Sequence, residues 1–213
     1  MDLLRSVVTY IQENPERFWQ AVEIHIRLSV TSLLLAMAIF IPVGVVVSRS
    51  RHIGPGLIAI VAALRVVPSL ALLFIFFPIL GPGEDTARYA LILLAGPALV
   101  INTDAGLRNV SAAVLESARG MGMKPFQAFT RVQLPIALPV IIAGIRTASI
   151  EIIASAVLAA YIGAGGLGNF ITSGLTLLDS QLLLVGAIPV TILALSAEGL
   201  FSVAERLVTP PTA

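Results

Sequence analysis

Residues 116–135 read E-S-A-R-G-M-G-M-K-P-F-Q-A-F-T-R-V-Q-L-P and form the longest interval between hydrophobic segments of the chain. Residues 107–121 contain no proline and carry apolar side chains at helical spacing, which predicts a helix. Gly122 follows this helix, where a left-handed C-cap residue without a Cβ is favoured. Pro125 suits the first position of a second short helix, because its missing N–H would have no partner there.

The same stretch is basic and also carries large apolar side chains. Met121 and Met123 flank the glycine, and Phe126 and Phe129 share one helical face at i, i+3 spacing. Such a surface is suited to a groove on another protein. The alternative is an ordinary helical hairpin lying on a membrane surface. Pro135 can then begin the next long helix.

The composition predicts an integral membrane protein. Hydrophobic residues make up 57% of the 213-residue chain and charged residues 12%, against about 25% charged in soluble domains. The absence of cysteine excludes disulfides and thiolate metal sites. The net charge of +1 gives no indication of a nucleic-acid partner.

Five apolar segments have about the length of ~20 residues that crosses the hydrocarbon layer. They cover residues 24–47, 57–80, 89–101 with a possible extension to 105, 136–162 and 182–200. These runs do not alternate as barrel strands do, so each is predicted to be a helix. The predicted fold is therefore all-α and integral to the membrane, with five transmembrane helices.

The distribution of lysine and arginine predicts the orientation. Seven basic residues fall on one side of this topology: Arg49, Arg51, Arg108, Arg119, Lys124, Arg131 and Arg206. The other side has Arg88 in its loops, with Arg5 and Arg17 in the N-terminal segment. The positive-inside rule places the seven in the cytoplasm, with the N-terminus outside and the C-terminus inside. The loop between the third and fourth helices then faces the cytoplasm.

The two terminal segments differ in composition from the membrane domain between them. Residues 1–20 are predicted to form an amphipathic helix at the membrane surface, with a frayed tail as the alternative. Its apolar stripe comprises Leu3, Leu4, Val7, Val8 and Ile11. Phe18 and Trp19 are predicted to be aromatic anchors. Residues 21–205 form the transmembrane domain, with the loop at 107–135, and residues 206–213 form a C-terminal tail.

Four ionisable residues fall inside predicted spans, where a charge should face protein or water: Arg65, Arg146, Glu151 and Glu198. Arg146 and Glu151 are about 140° apart around a helix and do not pair naturally. We expect Glu151 to act with Arg65, or Arg146 with a group on another chain, to line or gate a pathway. Pro68 and Ser69 follow Arg65 by about one turn and are the best hinge candidates. The alternative is a structural pair or a snorkelling side chain, with the proline bearing no function.

A glycine-rich string, Y-I-G-A-G-G-L-G-N-F at residues 161–170, follows the fourth span. It is predicted to end the helix in a re-entrant or tightly folded external loop. Small residues recur every four positions just before this string and at its start, a spacing that lets helices pack closely. They are Ser155, Ala159 and Gly163. No phosphate-binding GxxxxGK[ST] pattern is present, so any ATP must be bound by another chain.

The loop resembles that of bacterial ABC-importer permeases, whose pattern is E-A-A, three residues, G, nine residues, then I-x-L-P. Here Glu116-Ser117-Ala118, Gly122 and Val132-Gln133-Leu134-Pro135 match in order and spacing, with Ser117 and Val132 as mild departures.

Three further strings sharpen this resemblance: P-S-L-A-L-L at 68–73, L-P-V-I-I-A-G-I-R-T-A at 138–148 and I-G-A-G-G-L-G at 162–168. They are similar to permeases of osmoprotectant importers, which carry glycine betaine, carnitine, choline or proline, and the likeness spans residues 21–205. Methionine-type permeases share the loop and the five-helix core but match the latter two strings less closely.

The resemblance implies a type I importer in the cell membrane. Such an importer has two permease subunits, identical or paralogous, two ATPase subunits that bind ATP and Mg²⁺, and an external substrate-binding protein. This chain would then bind no cofactor or metal and do no covalent chemistry. The residues implied to couple it to the ATPase are Glu116, Ala118, Arg119, Gly120, Met121, Gly122, Met123, Lys124, Pro125, Phe126, Leu134 and Pro135.

Two other classes of membrane protein, secondary transporters and membrane enzymes, fit this sequence less well. A secondary transporter often shows inverted repeats, and five spans without a convincing internal repeat do not divide evenly. A membrane enzyme needs a catalytic constellation, but His25 and His52 stand alone, and Asp104 and Glu151 form no recognisable dyad or metal site.

Overall fold

The structure is a computed structural model that describes residues 2–50 and 54–209. Throughout these residues the secondary structure is helical, with no strand. The α-helices are α1 (Asp2–Glu13), α2 (Pro15–Arg49), α3 (Gly54–Leu64), α4 (Ser69–Leu80), α5 (Glu84–Arg108), α6 (Ala112–Gly120), α7 (Pro125–Ala128), α8 (Leu134–Ala156), α9 (Gly168–Leu177) and α10 (Ser180–Val208). A π-helical turn, Phe129–Gln133, joins α7 to α8, and a 3-10 helix, Val157–Ile162, follows α8.

Among the described residues, four helical stretches are long and apolar enough to cross a membrane. They are α2, α5, the continuous stretch Pro125–Ile162 and α10. The predicted first, third, fourth and fifth spans each lie within one of them. A fifth span is counted only if α3 and α4 are taken together.

The predicted second span at residues 57–80 is broken at the predicted hinge, and it counts as one span only as a bent pair of helices. Helices α3 and α4 are bent by 90° at a break between Leu64 and Ser69. The amides of Arg65, Val66 and Val67 each donate to the carbonyl three residues earlier, at 3.1 Å, so the chain tightens out of α-helical geometry. Pro68 lacks an N–H and disfavours α-helix in the residue before it, which completes the break.

Helix α5 lies at the centre of the bundle. Its apolar stretch is 72% buried, against 22% for α2 and 11% for α10. Small residues allow this close packing: a Cβ at Gly44 of α2 would lie 2.6 Å from Thr103 Cβ, and one at Gly144 of α8 would lie 2.6 Å from Asn102 Cβ. The helices α2 and α8 therefore approach α5 more closely than larger residues would permit.

The N-terminal helix packs against the start of α10 and is shorter than predicted. It stops at Glu13, and the rest of the predicted 1–20 segment belongs to α2. Val7 is buried with Phe18 and Phe170, whereas Leu3 remains exposed. Phe18 is thus a packed residue and not the exposed anchor that was predicted, because α1 and α9 cover it. Trp19 is 63% exposed, as an anchor at the interface would be.

The glycine-rich string folds into a compact turn followed by a helix. Gly163, Gly165 and Gly166 adopt positive φ values of 75°, 80° and 82°, which confirms the predicted end of the preceding helix. Helix α9 then packs against α10, where a Cβ at Gly174 would lie 2.5 Å from the backbone nitrogen of Leu183. This separate helix was not among the predicted elements.

Candidate functional site

The loop at residues 107–135 contains two helices between two spans. A single helix over 107–121 was predicted, but α5 ends at Arg108 and α6 begins only at Ala112. Ser111 has extended backbone angles (φ −54°, ψ 133°) and separates the two helices as the N-cap residue of α6. The loop therefore changes direction twice, once before α6 and once after it.

The second change of direction confirms the prediction for Gly122. Its φ is +81°, and a Cβ there would meet no atom within 4 Å, so the backbone angle alone favours glycine. The Gly122 amide donates to Arg119 O at 2.9 Å, and the Met123 amide donates to Ala118 O at 3.2 Å. This pair of bonds is the Schellman motif, which satisfies the last carbonyls of α6.

Pro125 begins α7, as predicted. The Gln127 side chain accepts a hydrogen bond from the Lys124 amide at 2.9 Å and satisfies a free donor at the start of the helix. Helix α7 does not end before the next span: it passes through the π turn directly into α8, with Leu134 and Pro135 at the start of α8. The short helix and the span are thus one continuous helical stretch.

The tip of the loop exposes apolar and basic side chains together. Met121 is 71% exposed and Phe126 75% exposed, and Arg119 and Lys124 are also exposed. Ala118 is only 1% exposed, because α6 and α7 pack against each other there. Of the other predicted coupling residues, Glu116, Gly120, Gly122, Pro125 and Pro135 are exposed, and Met123 and Leu134 are half-buried.

A second group of predicted residues meets at the break between α3 and α4. The Arg65 guanidinium Nη2 lies 3.5 Å from Glu151 Oε1 on α8, with the two side chains 46% and 34% exposed. Pro68 caps α4, and Ser69 is its first residue. The structure therefore brings Arg65 and Glu151 together beside the predicted hinge.

Arg146 lies apart from this group and pairs with α10. Its Nη1 lies 3.6 Å from Glu198 Oε1 and 3.2 Å from Glu205 Oε2. One of the alternatives paired Arg146 with a group on another chain, whereas the described residues supply two partners within this one. Glu205 was not singled out, although its spacing of seven from Glu198 places both on one face of α10. Helix α10 continues through Val208, so Arg206 belongs to it and not to a tail.

The two histidines and the acidic residues were considered as possible catalytic or metal-binding groups. His25 is 1% exposed, and its Nε2 lies 3.1 Å from Ile153 O. Arg51 and His52 lie outside the described residues. Within residues 2–50 and 54–209, no group of three or more His, Asp or Glu side chains is arranged to hold a metal ion.

Comparison with known proteins agrees with this architecture. Residues 35–210 match the family described as "Binding-protein-dependent transport system inner membrane component". The carnitine transport permease protein OpuCB of Listeria monocytogenes is 42% identical over 205 residues, covering 96% of this chain and 94% of the relative. The choline transport system permease protein OpuBB of Bacillus subtilis (strain 168) is 39% identical, with coverages of 97% and 95%.

Solved structures share the fold. The MetNI methionine ABC transporter in an inward facing conformation matches with a TM-score of 0.84 and 22% identity, covering 92% of this chain and 98% of the matched chain. At this identity the likeness concerns the fold alone. The match over residues 35–210 and the identity to the named relatives show the family. The chain belongs to the binding-protein-dependent transport system inner membrane components and is a multi-pass permease of the cell membrane.

Proposed function

We propose that this permease imports osmoprotectants, meaning glycine betaine, carnitine, choline or a related compound. The observation that carries the proposal is the identity of 39–42% over nearly the whole chain with permeases named for carnitine and choline transport. These compounds share a quaternary ammonium group.

A second candidate is the import of methionine or another amino acid. The likeness to the methionine transporter supports it, since the fold matches over 92% of this chain. The sequence identity of 22% is much lower than that to the osmoprotectant permeases. We therefore place the amino-acid function second.

The assembly that we propose contains two permease chains, two ATPase subunits and an external binding protein. Residues 21–205 form the transmembrane domain, with the bent pair α3–α4 as one of its five spans. The N-terminus is outside and the C-terminus inside, so that the loop at 107–135 faces the cytoplasm. ATP and Mg²⁺ are bound by the ATPase subunits.

The loop tip is the proposed docking surface for the ATPase. Met121 and Phe126 are exposed apolar side chains that a cleft on the ATPase would bury, and Arg119 and Lys124 surround them with positive charge. Gly122 sets the angle between α6 and α7, and Glu116 lies on the exposed side of α6. Closure of the two ATPases would move the loops together and rock the spans as rigid bodies.

The proposed pathway contacts are Arg65 and Glu151, with Arg146 on the other side of α8. Charged side chains that are one third to one half exposed within spans must face water or another protein chain, because lipid would not solvate them. The hinge at Pro68 and Ser69 would allow the Arg65–Glu151 contact to open. Arg65 would then act as a gate between the two states.

Uptake by the reconstituted complex tests the substrate. Proteoliposomes containing the permease and its ATPase, with the binding protein outside, would be given radiolabelled choline, carnitine, glycine betaine, proline and methionine. We expect ATP-dependent uptake of at least one quaternary ammonium compound and none of methionine. Methionine uptake would favour the second candidate, and uptake driven by an ion gradient without the ATPase would contradict both.

Single cysteines test the orientation, because the chain has no cysteine of its own. Lys124→Cys is expected to react with an impermeant maleimide only when the inner face is open. Asn169→Cys, which lies on the exposed side of α9 at the other end of the bundle, should react from the outside. The reverse pattern would contradict the proposed topology.

The docking role is tested by Gly122→Asp. This variant should insert into the membrane normally but lose ATP-driven uptake and the recovery of ATPase in detergent. Normal uptake by Gly122→Asp would contradict the docking role.

A further inference from the structure

The π turn between α7 and α8 contacts a neighbouring span at each of its two ends. The Arg49 guanidinium, at the end of α2, lies over the Phe129 ring with Cζ 5.1 Å from its centroid. Four residues later, Gln133 Nε2 donates a hydrogen bond to Leu107 O, near the end of α5, at 3.1 Å. The turn is therefore held against both α2 and α5.

Arg108 joins those two spans to each other. Its Nε donates to Asp104 Oδ1 on α5 at 2.7 Å, and its Nη2 donates to Val47 O and Ser50 O at the end of α2, at 2.9 and 3.0 Å. Val47 O and Ser50 O also accept backbone bonds from Ser50 and Gly54, and a cation at the C-terminal end of a helix is favourable. A side chain at Gly54 would overlap the Arg108 guanidinium, so the first residue of α3 packs directly against this group.

These five residues form what we call the junction cluster: Arg49, Asp104, Arg108, Phe129 and Gln133. A π turn contains an extra residue per turn and is a common position for a bend in a helix. If the turn were free, a displacement of α7 could be absorbed by bending there. Because Phe129 and Gln133 are held, the displacement should instead move α2 and α5 together with α8.

We propose that the junction cluster positions the π turn so that motion of the loop tip is transmitted to α2, α5 and α8 together. The contact between Arg49 and Phe129 is the one in the cluster whose strength sets how efficiently this motion is transmitted. The inference rests on the proposed docking of the loop tip to an ATPase. It assigns to Arg49 and Phe129 a role in the efficiency of coupling, separate from the binding of ATPase by Met121 and Phe126.

The test is the number of ATP molecules hydrolysed per substrate imported by the reconstituted complex. Arg49→Gln and Phe129→Leu should each raise this ratio about two- to fivefold, the range that an exposed cation–π contact supports. The double variant should raise it no further than the larger single effect, because both substitutions remove one contact. Phe129→Tyr keeps the ring face and should stay near the wild-type ratio.

Arg206→Gln is the matched control for loss of charge. It removes an exposed arginine from the last turn of α10, which is outside the junction cluster. Its ratio is expected to equal that of the wild type. An increase equal to that of Arg49→Gln would overturn the proposal, since net charge would then explain the effect.

A cross-link provides a second measurement, in which a covalent link replaces the contact that two cysteine substitutions remove. Arg49→Cys and Phe129→Cys would be joined by a short bifunctional thiol reagent in the otherwise cysteine-free chain. If α2 and the π turn move together, the joined complex should import substrate at the wild-type ratio. Loss of transport on joining would overturn the proposal, because the contact would then have to open in each cycle.

The outcomes separate this inference from the proposed function. Absence of any ATP-driven uptake by the wild-type complex would reject the proposed function itself. Normal uptake by the wild type with an unchanged ratio in Arg49→Gln and Phe129→Leu would reject only the role of the junction cluster.

Discussion

Arg65, in the break between α3 and α4, pairs with Glu151 of α8, with Nη2 of the arginine 3.5 Å from Oε1 of the glutamate. The contact connects the bend to the C-terminal part of α8. A centrally placed charge in a span costs about 3 kcal/mol on insertion scales. Each of these two side chains lowers that cost for the other by supplying the opposite charge. Their partial exposure leaves the contact accessible to water or to another chain.

Glu151→Gln is expected to lower uptake by roughly fivefold or more, because Arg65 is left without an anionic partner in the span. The exchanged double variant, Arg65→Glu with Glu151→Arg, should recover part of the loss. Glu23→Gln is a matched control, since Glu23 is 73% exposed and lies 3.8 Å from its partner Arg27. The measurement is initial uptake per permease, and equal uptake by Glu151→Gln and Glu23→Gln would contradict the proposed gate.

Gly122→Ala should destabilise the turn between α6 and α7, because a Cβ in the left-handed region costs about 1–2 kcal/mol. We expect roughly a five- to thirtyfold fall in apparent affinity for the ATPase, from the tenfold change that 1.4 kcal/mol represents. Gly199→Ala is the control: Gly199 lies in α10 outside the loop, and a Cβ there would also meet no atom within 4 Å. Binding of ATPase in detergent measures the difference, and equal losses in the two variants would argue against a role for the backbone angle.

Gly186→Ala should destabilise the fold where α9 meets α10. A Cβ there would lie 2.7 Å from both Leu167 O and Ile171 Cγ1, and overpacking of this kind costs about 1–3 kcal/mol. Gly199→Ala on the same helix would meet no atom within 4 Å and should leave stability unchanged. Thermal unfolding in detergent compares the two. A Tm for Gly186→Ala at or above that of Gly199→Ala would show that the close approach is not required.

Asp179→Ala should shorten or loosen the start of α10. The Asp179 carboxylate accepts hydrogen bonds from the amides of Gln181 and Leu182 at 2.8 and 3.2 Å. Loss of such an N-cap costs about 1 kcal/mol, whereas asparagine retains an acceptor oxygen. Amide hydrogen exchange over the first turn of α10 should therefore rise in Asp179→Ala and stay near wild type in Asp179→Asn.

The second half of the loop could be predicted from the sequence because its features are local, whereas the break between α5 and α6 was missed. A positive φ at Gly122 and a helix start at Pro125 follow from the chemistry of glycine and proline alone. The pairing of Arg65 with Glu151 could be proposed because few charges occur inside the spans. Glu205 and the junction cluster were missed because their contacts join residues far apart in sequence, such as Arg108 and Val47.

The angle between α3 and α4 and the helix α9 could not be assigned from the sequence. Residues 57–80 are apolar apart from Arg65 and Ser69, so hydropathy gives a single segment, and Pro68 indicates a hinge without giving its 90° angle. Helix α9 begins at Gly168 and contains Gly174, both poor helix formers. Its helical form is favoured by packing against α10 at Gly186, and such tertiary packing is not visible in a short window of sequence.

The bend between α3 and α4 has a consequence for biogenesis. With 11 and 12 residues, each helix is only about 17 Å long and is too short to cross the ~30 Å hydrocarbon layer alone. Leu72 and Leu73 of α4 are buried in the same core as α5, so the segment should settle in the bilayer only after α5 has left the ribosome. Leu72→Cys should then react with a water-soluble maleimide in a released, membrane-inserted chain that ends at Leu80, and be protected in one that continues through Arg108.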